Sequence, residues 1–148
     1  DIIVRKIEIY DGATPSANSI MAQNLLYLGI VFDNPKWNSK AIDMLQSVFN
    51  ALKKYPSSFA VWADIYIMQT VGIYEIAITG KNFKNSLNEI LKAYIPNKIL
   101  QGCKEEMDFP LLQKKDYNND ATLYLCRNYS CDQPFKEVST LLNSLKNI

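Results

Sequence analysis

The chain has 148 residues, 48% hydrophobic and 21% charged, with a formal net charge of +1 and no histidine. That length supports one domain or two small units with real cores, and the near-zero charge supplies no basic field for nucleic acid or anionic lipid. The missing imidazoles exclude histidine triads and the commonest zinc ligand, and three cysteines, Cys103, Cys126 and Cys131, are too few for a disulfide framework or a closed zinc site.

No metal or cofactor is therefore expected. No apolar stretch reaches the roughly 20 residues that span a bilayer, because Asp64 and Gln69 interrupt the longest candidate. Nothing near the start reads as a signal peptide, so a cytoplasmic setting with reduced thiols and no membrane contact is the expectation. The chain begins at Asp1 without methionine, which suggests a piece processed from a longer chain; a removed tag would look the same.

In chain order, Ile2 to Tyr10 alternates apolar and charged residues and suits a short extended lead-in. "YDGATPSANS" follows, dense in turn formers and hydroxyls. Thr14 before Pro15 reads as an N-cap with proline in the first helical position. Ile20, Met21, Leu25, Leu28 and Phe32 then recur at helical spacing, and this first helix ends near Asp33-Asn34-Pro35. A second helix carries Trp37, Ala41, Met44, Leu45, Val48, Phe49 and Leu52 on one face and polar residues opposite, the pattern of an outer helix. Ser57 can cap a third, "SFAVWADIYIMQTVG", which is apolar almost all round and expected to be buried on several sides. Together they read as an α-hairpin array with inner helices covered by outer ones.

The pattern changes at Gly72. "IYEIAITG", "NKILQG" and "ATLYLCRNY" are strand candidates, and "NSLNEILKAYIP" is a helix between the first two. Strand, helix, strand implies a right-handed parallel crossover. Lys104 to Asp120 is polar and reads as a surface excursion, and a last helix runs from Pro134 to Lys146 with Phe135, Val138, Leu141, Leu142 and Leu145 on one face. The fold class is thus mixed α+β: antiparallel α-hairpins over residues 1–72, then a small α/β lobe over 73–148 with a mainly parallel three-stranded sheet.

Two segments carry a family resemblance. "YDGATPSANS" with "NLLYLG" after it, and "ATLYLCRNYSCDQP" near the end, resemble the C-terminal part of the thioredoxin-domain-containing spermatogenesis-associated protein family, widespread in bacteria. Their order and separation fit across essentially the whole chain. The resemblance implies a segment from a toroid of α-hairpins similar to six-hairpin glycosidases and sugar 2-epimerases, preceded by a thioredoxin-like domain. No CxxC and no histidine stand here, so the family's redox motif has no match in this piece. Expected partners are the missing thioredoxin-like and toroid portions and a sugar-like small molecule, with self-association of the piece through uncovered helix faces. By itself the piece is expected to be inactive.

In such a toroid the start of the first helix would line the cavity rim. Asp11, Ser16, Asn18 and Ser19 are then candidate ligand-binding residues, with helix N–H donors beside them. The alternative is that Asp11-Gly12 makes a turn, Thr14 or Ser16 caps the helix, and Asn18 and Ser19 bond nearby backbone. Glycosidase-like chemistry needs two carboxyl groups about 5–10 Å apart, which makes Asp11 and Asp64 the candidate catalytic pair. Asp64, in so apolar a helix, is otherwise expected to bond a neighbouring helix end. Cys126 and Cys131 form a disulfide if the turn between them folds back, serve as a dithiol relay, or pack as two thiols. "ITGKNFKNS" is placed where α/β proteins bind phosphate but lacks a P-loop or GxGxxG pattern, which favours an ordinary βα turn. "NYS" at Asn128 matches a glycosylation sequon, and the tyrosines are scattered with no stacking platform. The function read from the sequence is part of a carbohydrate-like cavity; the alternatives are an interaction scaffold or a thiol relay.

Overall fold

A computed structural model describes residues 7–146. The chain divides into two compact units between Val71 and Gly72. Among the described residues, five α-helices and one four-stranded sheet make a mixed α+β fold.

In the first unit, α1 (Ala17–Val31) and α2 (Pro35–Lys54) form a hairpin, and α3 (Ala60–Val71) follows a 3-10 turn at Pro56–Ser58. The N-cap of α1 is Ser16, whose side chain accepts the Ser19 N–H, not Thr14. Ser16 leads because its extended backbone (ψ 150°) aims the hydroxyl at the first turn. The left-handed Asp33 (φ 48°) stops α1, and Asn34 caps α2 by accepting from the Lys36 and Trp37 N–H groups. Ser57 falls inside the 3-10 turn, ahead of the start of α3. The extended lead-in expected from Ile2 lies partly outside the described residues, and residues 7–10 have no strand structure.

α2 is amphipathic as read, burying Ala41, Leu45, Val48 and Leu52. α1 instead buries small residues, Ser19, Ala22 and Gly29, beside Leu26, so its backbone approaches its neighbours closely. At Gly29 an added Cβ would lie 2.0 Å from the Asn38 Oδ1 and 3.1 Å from the Asn38 backbone nitrogen. Gly29→Ala should therefore destabilise the hairpin by about 1–2 kcal/mol despite alanine's better helix propensity, measured as a lower urea midpoint at unchanged slope. The expectation that α3 is buried on several sides is corrected. Only Trp62 and Ile65 are buried within it, while Tyr66, Ile67 and Val71 are exposed.

The second unit holds the sheet: β1 (Tyr74–Thr79), β2 (Lys98–Cys103), β3 (Thr122–Arg127) and β4 (Ser130–Cys131), in the order β2-β1-β3-β4. β1 and β2 are parallel, joined through α4 (Phe83–Leu91), while β1–β3 and β3–β4 are antiparallel. The sheet is thus four-stranded and mixed, not mainly parallel. The long segment between β2 and β3 returns the chain to the far side of β1, and a tight turn then makes a hairpin that needs no crossover.

Both faces of the sheet are covered. Ile76, Ile78, Leu123 and Leu125 pack with Ile90 of α4 and with Val138 and Leu141 of α5 (Val138–Lys146). On the other face Ala77, Cys103, Tyr124 and Cys126 pack under Leu111 and Leu112. Residues 104–120 are therefore more than a surface excursion, because their 3-10 turn at Pro110–Leu112 closes the second face. Gly80 (φ 109°) lets β1 turn into α4 against the carbonyl oxygens of Asn119 and Asp120. No helix among the described residues is long and apolar enough to cross a membrane.

Candidate functional site

The hydroxyl-rich segment converges on Asp11. Its Oδ1 accepts from the Ser16 N–H at 2.9 Å and the Ser19 hydroxyl at 2.5 Å, and its Oδ2 accepts from the Val61 N–H at 2.9 Å. Ser16 Oγ donates to Ser19 Oγ at 3.0 Å. One carboxylate thus serves the N-termini of α1 and α3, where free N–H groups and the positive ends of two helix dipoles favour an anion. The Asp11 N–H donates to the Ser58 carbonyl at 2.9 Å, fixing its backbone to the start of α3.

Asp11, Ser16 and Ser19 are 7%, 3% and 0% exposed, so solvent barely reaches the cluster. Burial alone would raise the Asp11 carboxyl, but hydrogen bonds from Ser19, Ser16, Val61 and Trp62 hold it below the usual carboxylate range. Asn18 lies at the margin and donates to the Glu8 carbonyl at 2.6 Å. The Trp62 indole N–H donates to the Ile9 carbonyl at 2.9 Å. Three of the four predicted ligand-binding residues are therefore brought together, and all four hold the chain to itself.

Asp64 is exposed on α3, which corrects the expectation of a buried, paired carboxylate. The helix is apolar in sequence, yet Asp64 lies on a side that water reaches, so its charge needs no partner. Asp11 has its carboxylate engaged on both oxygens. The two do not share a buried environment of the kind that separates an acid from a base.

In the second unit Cys126 and Cys131 are joined, with a Cα–Cα distance of 3.9 Å. They face each other in the β3–β4 register, next to the Arg127–Ser130 pair that closes the turn. Asn128 (φ 49°) and Tyr129 (φ 60°) are both left-handed, as a two-residue hairpin turn of the I′ type requires. Such a conformation is uncommon for tyrosine. Glu75, 3% exposed in β1, supports it by accepting the Asn128 and Tyr129 N–H groups at 2.9 and 3.1 Å. Burial pushes the Glu75 carboxyl up, opposed by those N–H groups and by Lys115.

Glu75 and Lys115 were missed in the sequence reading. Glu75 carried a signal, since it is an acid inside a β-branched strand segment. Lys115 carried none, being one of several lysines in a polar segment. Cys103 stands apart from the disulfide, 4% exposed and 3.6 Å from the Tyr117 hydroxyl. Burial raises its thiol.

A hollow of about 750 Å³ opens at the carboxyl ends of β1 and β2, lined by Lys81, Lys84, Lys104, Glu105, Glu106 and Met107 among others. Its charges are mixed, and Asn82 at the start of α4 makes no side-chain cap bond. Among the described residues no group of three or more Cys, Asp or Glu could hold a metal ion.

No family model and no solved structure matches the chain. Spermatogenesis-associated protein 20 from Rattus norvegicus is 27% identical over 93% of this chain and 19% of its own length. The Homo sapiens protein of that name is 27% identical over 86% of the chain and 18% of its length. An uncharacterized protein of Caenorhabditis elegans is 24% identical over 95% of the chain and 20% of its length. Nearly all of this chain is therefore similar to about a fifth of these much longer proteins.

Proposed function

We propose that this chain is the C-terminal segment of a longer, thioredoxin-domain-containing protein of the spermatogenesis-associated protein 20 kind, and that its helical unit is a non-catalytic wall segment of an α/α toroid. The observation that carries this reading is the uncovered apolar surface of α1 and α3. Met21, Tyr27, Leu28, Tyr66, Ile67 and Val71 are between 40% and 59% exposed. Helices that are apolar all round are normally buried, and the curated relatives are about five times longer than the part of them that this chain spans. The occupant proposed for those faces is the preceding helices of the same polypeptide.

In this reading Asp11, Ser16 and Ser19 set the spacing of two helix ends, and with it the shape of a cavity rim, without touching a sugar-like ligand. Isolated, the chain should self-associate in a concentration-dependent way, read by size-exclusion chromatography with light scattering. Met21→Lys combined with Ile67→Lys should shift it to monomer at unchanged helicity. Supplying the preceding helical portion of the longer protein should suppress self-association of the unsubstituted chain. A monomer at every concentration that ignores that portion would overturn the reading.

A further inference from the structure

The proposed wall segment makes no use of a row of chemistry at the edge of the sheet. Register sets Glu75 of β1 opposite Cys126 of β3, and Cys126 opposite Cys131 of β4. The segment after β2 brings Lys115 to this row. Its Nζ lies 2.9 Å from Cys131 Sγ and 4.8 Å from the centroid of the Tyr124 ring, with Glu75 as its electrostatic partner. Cys126 is 2% exposed, whereas Cys131 is half-buried on β4, the last strand of the sheet. A hollow of about 350 Å³ opens beside the pair, lined by Leu125, Cys126, Arg127, Ser130 and Asp132.

We infer that Cys126–Cys131 is a thiol–disulfide exchange centre for a dithiol reductant, with Cys131 the attacked sulfur and Lys115 the group that stabilises its thiolate. Access orders the first step, because Cys131 is half-buried on the edge strand while Cys126 is 2% exposed. A thiolate of the reductant attacks Cys131 Sγ, the Cys126–Cys131 bond breaks, and its electron pair leaves on Cys126 Sγ, which takes a proton from solvent. The second thiolate of the reductant then attacks its own sulfur in the mixed disulfide. Cys131 departs as a thiolate beside the Lys115 ammonium. The reductant ends as a disulfide and this chain as a dithiol, two electrons having passed.

A lysine against a cysteine sulfur favours the thiolate, which is both the nucleophile and the better leaving group. Burial lowers the Lys115 ammonium below its ordinary range, Glu75 opposes that shift, and the Tyr124 ring lies beneath the ammonium. Lys115 is a positioning and electrostatic residue, and Cys103, buried on the same face, serves as an internal control.

The test uses the folded chain with dithiothreitol as the reductant and iodoacetamide as the probe, with peptide mapping by mass spectrometry. Dithiothreitol should open the bond without denaturant. In the reduced protein Cys131 should alkylate at least about tenfold faster than Cys126 or Cys103, as its exposure and neighbouring charge require. Lys115→Met should slow Cys131 about tenfold near neutral pH, the effect of roughly one pKa unit, while Lys115→Arg should keep most of the rate. Circular dichroism confirms that each variant is folded, and the wild-type rate ratio needs no variant at all. A bond that opens only in denaturant, or a Cys131 rate equal to that of Cys126 or unchanged in folded Lys115→Met, would leave a structural staple and overturn the assignment.

Discussion

Asp11→Ala should destabilise the helical unit by about 3–5 kcal/mol. The substitution removes a charged acceptor from three buried or half-buried donors, each such bond contributing about 1.5–3 kcal/mol before the donors find water. It also removes the acceptor at the start of α3 and frees the Ser16 backbone that caps α1. The Val61 N–H and the Ser16 N–H lie 50 residues and 5 residues from Asp11 in sequence, so the loss is of tertiary structure as well as of local helix starts. Both tryptophans, Trp37 and Trp62, belong to this unit, and their fluorescence in urea reports its midpoint directly. Asp11→Asn should fall between, because an amide keeps one acceptor and turns a donor toward the other N–H.

The same carboxylate gives a pH signature. Its folded pKa lies below its unfolded value, so its contribution is present above the unfolded pKa, about 3.9. That contribution is lost as pH falls from there through the folded pKa. Wild-type chain should lose tryptophan-reported stability on acidification through this window, and Asp11→Asn should lose less. Equal acid sensitivity of the two would contradict the assigned role.

Glu75→Ala should cost about 2–4 kcal/mol in the α/β unit, because two backbone donors lose a buried carboxylate acceptor, each such bond contributing about 1.5–3 kcal/mol before the donors find water. Two N–H groups of the 128–129 turn lose their acceptor, and Lys115 loses its electrostatic partner. The turn then holds its left-handed tyrosine without the Glu75 acceptor. Amide exchange should accelerate most at Asn128 and Tyr129. In an oxidised sample the disulfide still ties the strands, so loss of protection confined to the turn is the minimum effect and a lower thermal midpoint of the unit the full one. The pH dependence runs opposite to that of Asp11. The folded pKa of Glu75 is raised, so its contribution is fully present below its unfolded pKa and declines as pH rises through the folded value. Acidification should therefore weaken the helical unit and spare the sheet, and Glu75→Gln should flatten the second trend.

Elements that depend on local pattern are readable from residue order. Helical spacing marked α2 and its buried Ala41, Leu45, Val48 and Leu52, a β-branched run marked β1, and short strand-like segments marked β2 and β3, because such patterns act over a few neighbouring residues. The change of character at Gly72 was legible for the same reason. Tertiary structure alone decided the rest. Thr14, Ser16 and Ser57 are all favoured cap types in isolation, and the acceptor for α3 turned out to be Asp11, a choice that requires the two helix starts to meet. The mixed sheet follows from where residues 104–120 return the chain, which no strand's own composition encodes. Asp64 is exposed because burial belongs to a helix face in its packed setting. Lys115 meets Cys131 only because a segment 16 residues distant folds over one face of the sheet. Charge, burial and reactivity at these sites are properties of neighbours brought from far along the chain, and that is why residue type alone could propose them but not assign them.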